Sequence, residues 1–282
     1  MLIAQITDLH IGTGDDIGAE DNYHRLLAVF ARLKALKRQP DYIVATGDLT
    51  ETGSVSAYKL LKKMLDRAEI EIFPCMGNHD LSANFKKVFG RMAFHDGFCQ
   101  YTRDLGPVQL VVTDTHDETI HGGDFCEVRA RWLDETLSDI GDKPVLLALH
   151  HPPFVTGIDW MGARESDEPW VQMLDSVVRR HRNVKRIISG HIHRPIVRQF
   201  AGTDCFVSSA TAAEVHLELA PLSSSEADGR PLIVDEPAGF ALHLWDGQQF
   251  VSHHGVAGDF DVILEYHERF RDVMRDVFHV PE

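Results

Sequence analysis

Short apolar runs alternate with longer amphipathic stretches along most of this chain, and that order points to an α/β architecture in which strands feed helices. The strand candidates are Leu2 to Ile6, Tyr42 to Thr46, Ile70 to Cys75, Gln109 to Thr113, Val145 to Leu149 and Arg186 to Ile188. Helices are expected over Asn22 to Lys37, Ser54 to Arg67, Glu127 to Leu137 and Pro169 to His181. Pro169 suits a first helical turn, where a missing N–H costs nothing. After Ile196 the texture changes. Ile196 to Phe200, Cys205 to Val207, Phe240 to Trp245 and Phe250 to His253 read as antiparallel strands, with Asp246-Gly247 as a hairpin turn. A second, more antiparallel sheet is expected there. Leu222 to Gly239 reads as a surface loop, and Asp261 to Phe278 has the apolar spacing of a terminal helix.

Five of the apolar runs end in side chains that carry chemistry. They are followed by Asp8-Leu9-His10, Gly47-Asp48, Gly77-Asn78-His79-Asp80, His150-His151-Pro152-Pro153 and Gly190-His191-Ile192-His193. Open α/β sheets place binding crevices at such strand ends. Read as extended segments, Asp8 and His10 point to one side, and so do His191 and His193. Each cluster alone has an ordinary reading: a common turn, an Asx hydrogen bond, a solvated histidine pair. All five in one chain supply about seven ligands, enough for two metal ions. Carboxylate, imidazole and amide oxygen without thiolate suit Mn, Fe, Co or Zn rather than a structural cysteine-type zinc site.

Charge and cysteine usage narrow the partners. Lys and Arg total 28 against 43 Asp and Glu, a net charge of −15, which repels a polyphosphate chain, so no nucleic-acid polymer is expected and a nuclease is disfavoured. The four cysteines, Cys75, Cys99, Cys126 and Cys205, are widely spaced and read as buried thiols in a reducing compartment. The N-terminus lacks the pattern of a signal peptide, and the apolar runs are far shorter than the roughly 20 residues a membrane helix needs. A cytoplasmic protein with no membrane partner is therefore expected.

The ordered set D-x-H, GD, GNHD, H-x-P and GHxH resembles that of the calcineurin-like binuclear metallophosphoesterases, from Leu2 to about His216. Within that family the stretches "MLIAQITDLH", "PDYIVATGDLTETG", "GNHD" and "HHPPF" are most similar to the bacterial class III phosphodiesterases, which include glycerophosphodiesterases and cyclic-nucleotide phosphodiesterases. The resemblance implies a four-layer αββα sandwich with two mixed sheets. It implies a catalytic domain over 1–216, with 217–282 adding strands to the second sheet, a loop and a helix that serve as a small cap or subunit contact, which allows a homo-oligomer. It also implies that Asp8, His10 and His193 bind one metal, that Asn78, His150 and His191 bind the other, and that Asp48 bridges them. His79 then faces the substrate phosphate rather than a metal, and Asn78 and His216 lie near the substrate; His79 is the catalytic candidate to donate a hydrogen bond or proton to the leaving oxygen, its alternative role being to orient the Gly-Asn turn. His151 is expected behind the ligands. Asp80 either orients His79 or caps a helix starting near Ser82.

Two divalent ions about 3.5 to 4 Å apart acidify a shared water into a nucleophile near neutral pH, so no Ser or Cys nucleophile is required. With Asp8, Asp48 and one hydroxide counted, the site carries about +1 and attracts an anionic ester despite the acidic surface. The expected reaction is hydrolysis of small phosphodiesters, either 3′,5′-cyclic nucleotides or glycerophosphodiesters. Phe154, Trp160 and Met161 are candidates to pack a nucleobase, or to plug the core edge, and Arg164 to meet a second anionic group. A phosphomonoesterase is the alternative enzyme. A non-catalytic interaction module on the same fold is the alternative class, and such modules lose ligands, whereas all seven are present here.

Overall fold

A computed structural model of the chain describes residues 1–90 and 94–279. Its first elements are β1 (Leu2–Ile6), α1 (Ala19–Lys34), β2 (Tyr42–Ala45), α2 (Val55–Leu65), β3 (Ile72–Pro74) and α3 (Ser82–Phe89). Then come β4 (Tyr101–Asp104), β5 (Gln109–Val112), α4 (Glu127–Ile140), β6 (Val145–Ala148), α5 (Pro169–Val178) and β7 (Val184–Ser189). The remainder holds β8 (Ile196–Phe200), β9 (Thr203–Val207), β10 (Glu214–Val215), β11 (Ile233–Val234), β12 (Gly239–Trp245), β13 (Phe250–Val256) and a short terminal helix, α6 (Arg271–Asp276).

Local chemistry sets several of these bounds. The Ser54 hydroxyl accepts the Ala57 N–H at 3.2 Å and starts α2, a cap that contributes about 1 kcal/mol. Pro169 opens α5 at its first turn. In α1 the buried apolar residues Leu26, Val29 and Leu33 fall at helical spacing on one face, each contributing about 1.5 to 3 kcal/mol by leaving water.

The strands form two mixed sheets. The first runs β13-β12-β1-β2-β3, with β1, β2 and β3 parallel and the other pairs antiparallel. The second runs β4-β5-β6-β7-β9-β8, with β5, β6, β7 and β9 parallel. Alternation along β6 shows how the layers stack. Leu146 and Ala148 join a core with Ile3, Ile43 and the α1 and α2 residues Leu26 and Leu61, while Val145 and Leu147 join Leu133 of α4 and Leu174 of α5. Helices therefore cover the outer face of each sheet, the αββα arrangement expected.

Two expectations need correction. The four strands expected after Ile196 make no sheet of their own: β8 and β9 extend the second sheet, whereas β12 crosses back to pair antiparallel with β1, Leu2 opposite Leu244, and only the short β10 and β11 pair apart from both sheets. A hairpin pattern specifies the turn between two strands, and the open edge of β1 that receives them lies far away in sequence. The terminal helix also shrinks to α6, because the apolar residues meant for its buried face, among them Ile263 at 97% exposure, have no surface to pack against. Residues 280–282 of the expected C-terminal segment lie outside the described residues.

The parallel order matters most for the site. The ends of β1, β2 and β3 in one sheet and of β6 and β7 in the other open on the same edge of the sandwich, and the loops leaving them meet there. The Gly190 N–H bonds the His150 carbonyl at 3.0 Å, and the His191 N–H reaches the Asp8 carboxylate at 3.0 Å.

Candidate metal centre

Asp8 and His10, and likewise His191 and His193, do not sit on the extended backbone that the sequence suggested. Asp8 (φ 49°), His10 (φ 43°), Asp48 (φ 46°), His191 (φ 71°) and His193 (φ 56°) all occupy the left-handed region, which costs a non-glycine residue about 1 to 3 kcal/mol. Bonds between the two strand-end loops hold the conformation. Asp8 N–H donates to the Gly47 carbonyl at 3.0 Å, and Leu9 and His10 N–H both donate to the Asp48 carbonyl, at 2.9 and 3.0 Å. Two glycines leave the necessary room. A Cβ on Gly77 would overlap Asp48 Oδ1, and one on Gly190 would overlap Thr7 Oγ1 and Asp8 Oδ2.

Each key imidazole is then oriented by a partner behind it. His10 Nδ1–H donates to Glu51 Oε2 at 2.8 Å, His150 Nδ1–H to the Thr46 carbonyl at 2.8 Å, and His193 Nδ1–H to the Ala213 carbonyl at 2.7 Å. These acceptors assign the tautomer, so in each neutral ring the Nε2 lone pair faces inward. His10 Nε2 lies 3.3 Å from His193 Nε2, and Asp8 Oδ1 lies 3.4 Å from the latter. Asp48 Oδ2 is 3.4 Å from His150 Nε2 and 3.7 Å from His10 Nε2, and Asn78 Oδ1 is 3.2 Å from His150 Nε2. His191 Nε2 is buried and has no hydrogen-bond partner among the described residues. With the rings neutral, lone pairs and carboxylate oxygens thus converge on common points, an arrangement that protons or a cation resolve.

The ligand atoms of Asp8, His10 and His193 lie within 4.8 Å of one another, as do those of Asp8, Asp48 and His150, and those of His10, Asp48 and His79. Asp48 therefore reaches both the His10 side and the His150 side. The cluster's donor set of carboxylate oxygen and imidazole nitrogen fits divalent transition ions.

The electrostatics of these side chains follow from the same contacts. Burial pulls His150 down, but the carboxylates of Asp48 and Asp8 push it up to about 9, and burial of His193 is likewise outweighed by Asp8, to about 9. Asp48, which burial alone would raise, is held well below the usual carboxylate range by His150, His10 and His79. Two protons therefore stand where cation charge is wanted. Histidines raised in the folded state stabilise it fully below their ordinary pKa of about 6.5, and that contribution is lost as pH rises through about 9. Metal competes with those protons, so its binding tightens over the same interval. The increase in Tm produced by saturating Mn²⁺ should accordingly grow between pH 6.5 and 8.5 in a thermal-melt series. A constant or shrinking increase would contradict this protonation scheme.

Beside the centre lies a cavity of about 260 Å³ lined by His10, Asp48, His79, His191 and His193 on one side. Ile17, Trp160, Met161, Val215 and Ile233 make its apolar wall. His79 is held by two bonds, its N–H to Asp48 Oδ1 at 2.9 Å and its Nδ1–H to the Glu51 carbonyl at 2.8 Å, and among the described residues its Nε2 has no hydrogen-bond partner. His151 sits behind, with Nδ1 at 2.9 Å from Thr115 Oγ1 and its ring against His150 and His191.

Other expectations fare differently. His216 does not line the cavity; its N–H bonds the Leu232 carbonyl at 2.8 Å, and its neighbour Val215 faces the site instead. Asn78 touches His150 and is absent from the lining. Asp80 neither orients His79 nor caps α3. Its buried carboxylate accepts the N–H groups of Gly77 (3.0 Å) and Leu49 (3.1 Å) and the Tyr58 hydroxyl (2.8 Å), locking the GNHD turn to the loop after β2, and α3 has no side-chain cap. Phe154 is core, Trp160 lines the cavity, and Arg164 does not. Sequence reasoning passed over Glu51 and His121. Glu51 stands three residues after Asp48, close enough to flag as a partner for a ligand. His121, whose ring lies 5.1 Å from that of His191, sits in a loop whose spacing carries no signal.

The sequence profile described as calcineurin-like phosphoesterase matches residues 1–195. The chain is 31% identical to a probable cyclic nucleotide phosphodiesterase of Rhodopseudomonas palustris, covering 91% of this chain and 98% of that protein. It is 25% identical to a probable glycerophosphodiester phosphodiesterase of Arcobacter nitrofigilis, covering 93% and 95%. It is 30% identical to a cAMP/cGMP dual specificity phosphodiesterase of Mycobacterium tuberculosis, covering 81% and 73%. Among solved structures a dimetal phosphatase from Danio rerio superposes with a TM-score of 0.63 at 15% identity, covering 89% of this chain and 98% of that one, a likeness of fold. No helix among the described residues is long and apolar enough to cross a membrane.

Proposed function

Because the chain belongs to the calcineurin-like phosphoesterases, we propose that it is a metal-dependent phosphodiesterase acting on small, singly charged diesters, of the cyclic-nucleotide or glycerophosphodiester kind. In this reading Asp8, His10 and His193 hold one ion, Asn78, His150 and His191 hold a second, and Asp48 is shared. Two divalent ions of Mn, Fe, Co or Zn, when bound, supply Lewis acidity toward the phosphoryl oxygens and a water acidic enough to act as nucleophile near neutral pH. The chain's own groups do the rest. Glu51 and the Thr46 and Ala213 carbonyls keep the imidazole lone pairs aimed inward. His79 presents Nε2 to the departing oxygen. Its Nδ1–H is committed to the Glu51 carbonyl, so Nε2 donates there only as the imidazolium.

One observation supports diesters over monoesters: among the described residues lining the cavity there is neither Lys nor Arg, while one side is an apolar wall. A monoester near neutral pH carries up to two negative charges and gains from a further cation beyond the ions. A diester carries one charge and a second organic arm, which the wall receives. We expect kcat/KM for bis(p-nitrophenyl) phosphate to exceed that for p-nitrophenyl phosphate by at least tenfold, the equivalent of about 1.4 kcal/mol. Equal or reversed values would favour the phosphomonoesterase reading.

A further inference from the structure

We infer that Arg194 and Glu236 form a positioning pair that fixes the outer wall of the cavity at Val215 and Ile233, and so sets which non-leaving arm of a substrate fits. The inference rests on the diesterase reading for its choice of substrates.

Arg194 follows His193 directly, and its side chain is largely buried. Its two terminal nitrogens meet the Glu236 carboxylate in a bidentate pair, Nη1 to Oε2 at 2.7 Å and Nη2 to Oε1 at 2.8 Å, while Nε–H donates to the Val215 carbonyl. This geometry holds position as well as charge. Glu236 stands just past β11, the strand that carries Ile233 into the cavity.

The wall needs such an anchor. The β10–β11 ribbon pairs only Glu214 with Val234 and Val215 with Ile233, far too little to be stable alone. Val215 of β10 packs into the core, whereas Ile233 of β11 is half exposed, so β11 is the strand that depends on polar links to the body. The Arg25 guanidinium of α1 meets the Asp235 carboxylate and donates to the carbonyls of Glu236 at 2.8 Å and Ala212 at 3.4 Å. Both guanidiniums are largely buried, but Asp235 is 93% exposed and Glu236 50%, so the bidentate Glu236 pair is the less screened of the two. At the far end, the Leu222 N–H bonds Asp159 Oδ2 at 2.9 Å, beside Trp160 on the same wall. The strap from 212 to 236 thus spans from the loop of a metal-side histidine to the loop of an aromatic cavity residue. Releasing Glu236 should loosen Ile233 and leave the Asp and His cluster untouched.

Glu236 is the residue to vary, since Arg194 also lies 3.9 Å from the buried Glu214 and its removal would strand that carboxyl group. Two substrates with one leaving group separate wall from chemistry: bis(p-nitrophenyl) phosphate, with an aryl second arm, and methyl p-nitrophenyl phosphate, with a small one. For Mn²⁺-loaded Glu236→Ala we expect KM for the aryl diester to rise about 5- to 10-fold while kcat, bound metal and KM for the methyl diester stay within about twofold, the signature of lost uniform binding. Glu236→Gln keeps an acceptor for the guanidinium and should return KM toward the wild-type value. Equal changes for both substrates, or none, would overturn the inference. If wild type hydrolyses neither diester, the diesterase reading fails and calorimetry decides the wall. Glu236→Ala must then weaken binding of bis(p-nitrophenyl) phosphate and spare inorganic phosphate; parallel weakening, or no change, overturns the inference.

Discussion

Asp48→Asn should purify folded yet hydrolyse bis(p-nitrophenyl) phosphate at least about 10³-fold more slowly than wild type, with bound metal reduced. Asp48 is the carboxylate that reaches both halves of the centre, 3.4 Å from His150 Nε2 and 3.7 Å from His10 Nε2. Asparagine retains an oxygen for the His79 N–H, now bonded to Asp48 Oδ1 at 2.9 Å, and the Asp48 backbone carbonyl continues to hold Leu9 and His10. What disappears is the negative charge that two cations would share. Near-normal turnover with undiminished metal would refute the shared-carboxylate assignment. Loss of folding, read by circular dichroism, would instead show that the loop bonds around Asp48 depend on its charge.

His79→Ala should retain its metal and slow an alkyl diester by roughly 10²- to 10⁴-fold, the usual scale for loss of general acid catalysis. A p-nitrophenyl ester should slow far less, because p-nitrophenolate departs without help. The structure sharpens the reason. His79 is fixed by its backbone N–H and by Nδ1, so its remaining nitrogen has one direction to face, toward the cavity it lines. Equal slowing of both substrates at unchanged KM would make His79 a holder of the phosphate or of the Asn78 turn. Loss of metal would place it among the ligands, which its proximity to His10 and Asp48 permits geometrically.

Much of the frame was readable in the sequence because it depends on local periodicity. The runs that become β1, β2, β5, β6 and β7 announce themselves by short, mainly apolar stretches, and α1 and α2 by an apolar face, with bounds shifted by a few residues. The C-terminal pairing was not readable, since the choice of β1 as partner for β12 is made by an open sheet edge some 240 positions away in sequence. The site divides in the same way. The identities of Asp8, His10, Asp48, Asn78, His150, His191 and His193 and their arrival at strand ends were visible. The left-handed backbone of Asp8, His10 and Asp48 was not, because it is held by bonds between the loops after β1 and β2. Nor was the support around them. The Thr46 and Ala213 carbonyls that orient His150 and His193 belong to the backbone, which any residue type supplies. Asp80 illustrates the opposite error: its neighbours in sequence suggested a cap, while its bonding partners Leu49 and Tyr58 come from another loop and another helix.

Metal content decides the account as a whole. Elemental mass spectrometry on protein purified without chelator, and reloaded with Mn²⁺ if stripped, should find about two transition-metal equivalents per wild-type chain and at most one in Asp48→Asn, with diesterase turnover rising as the second equivalent is added. Full diesterase turnover in wild-type protein that holds no metal, or only one equivalent, would contradict a two-ion centre built from these seven side chains.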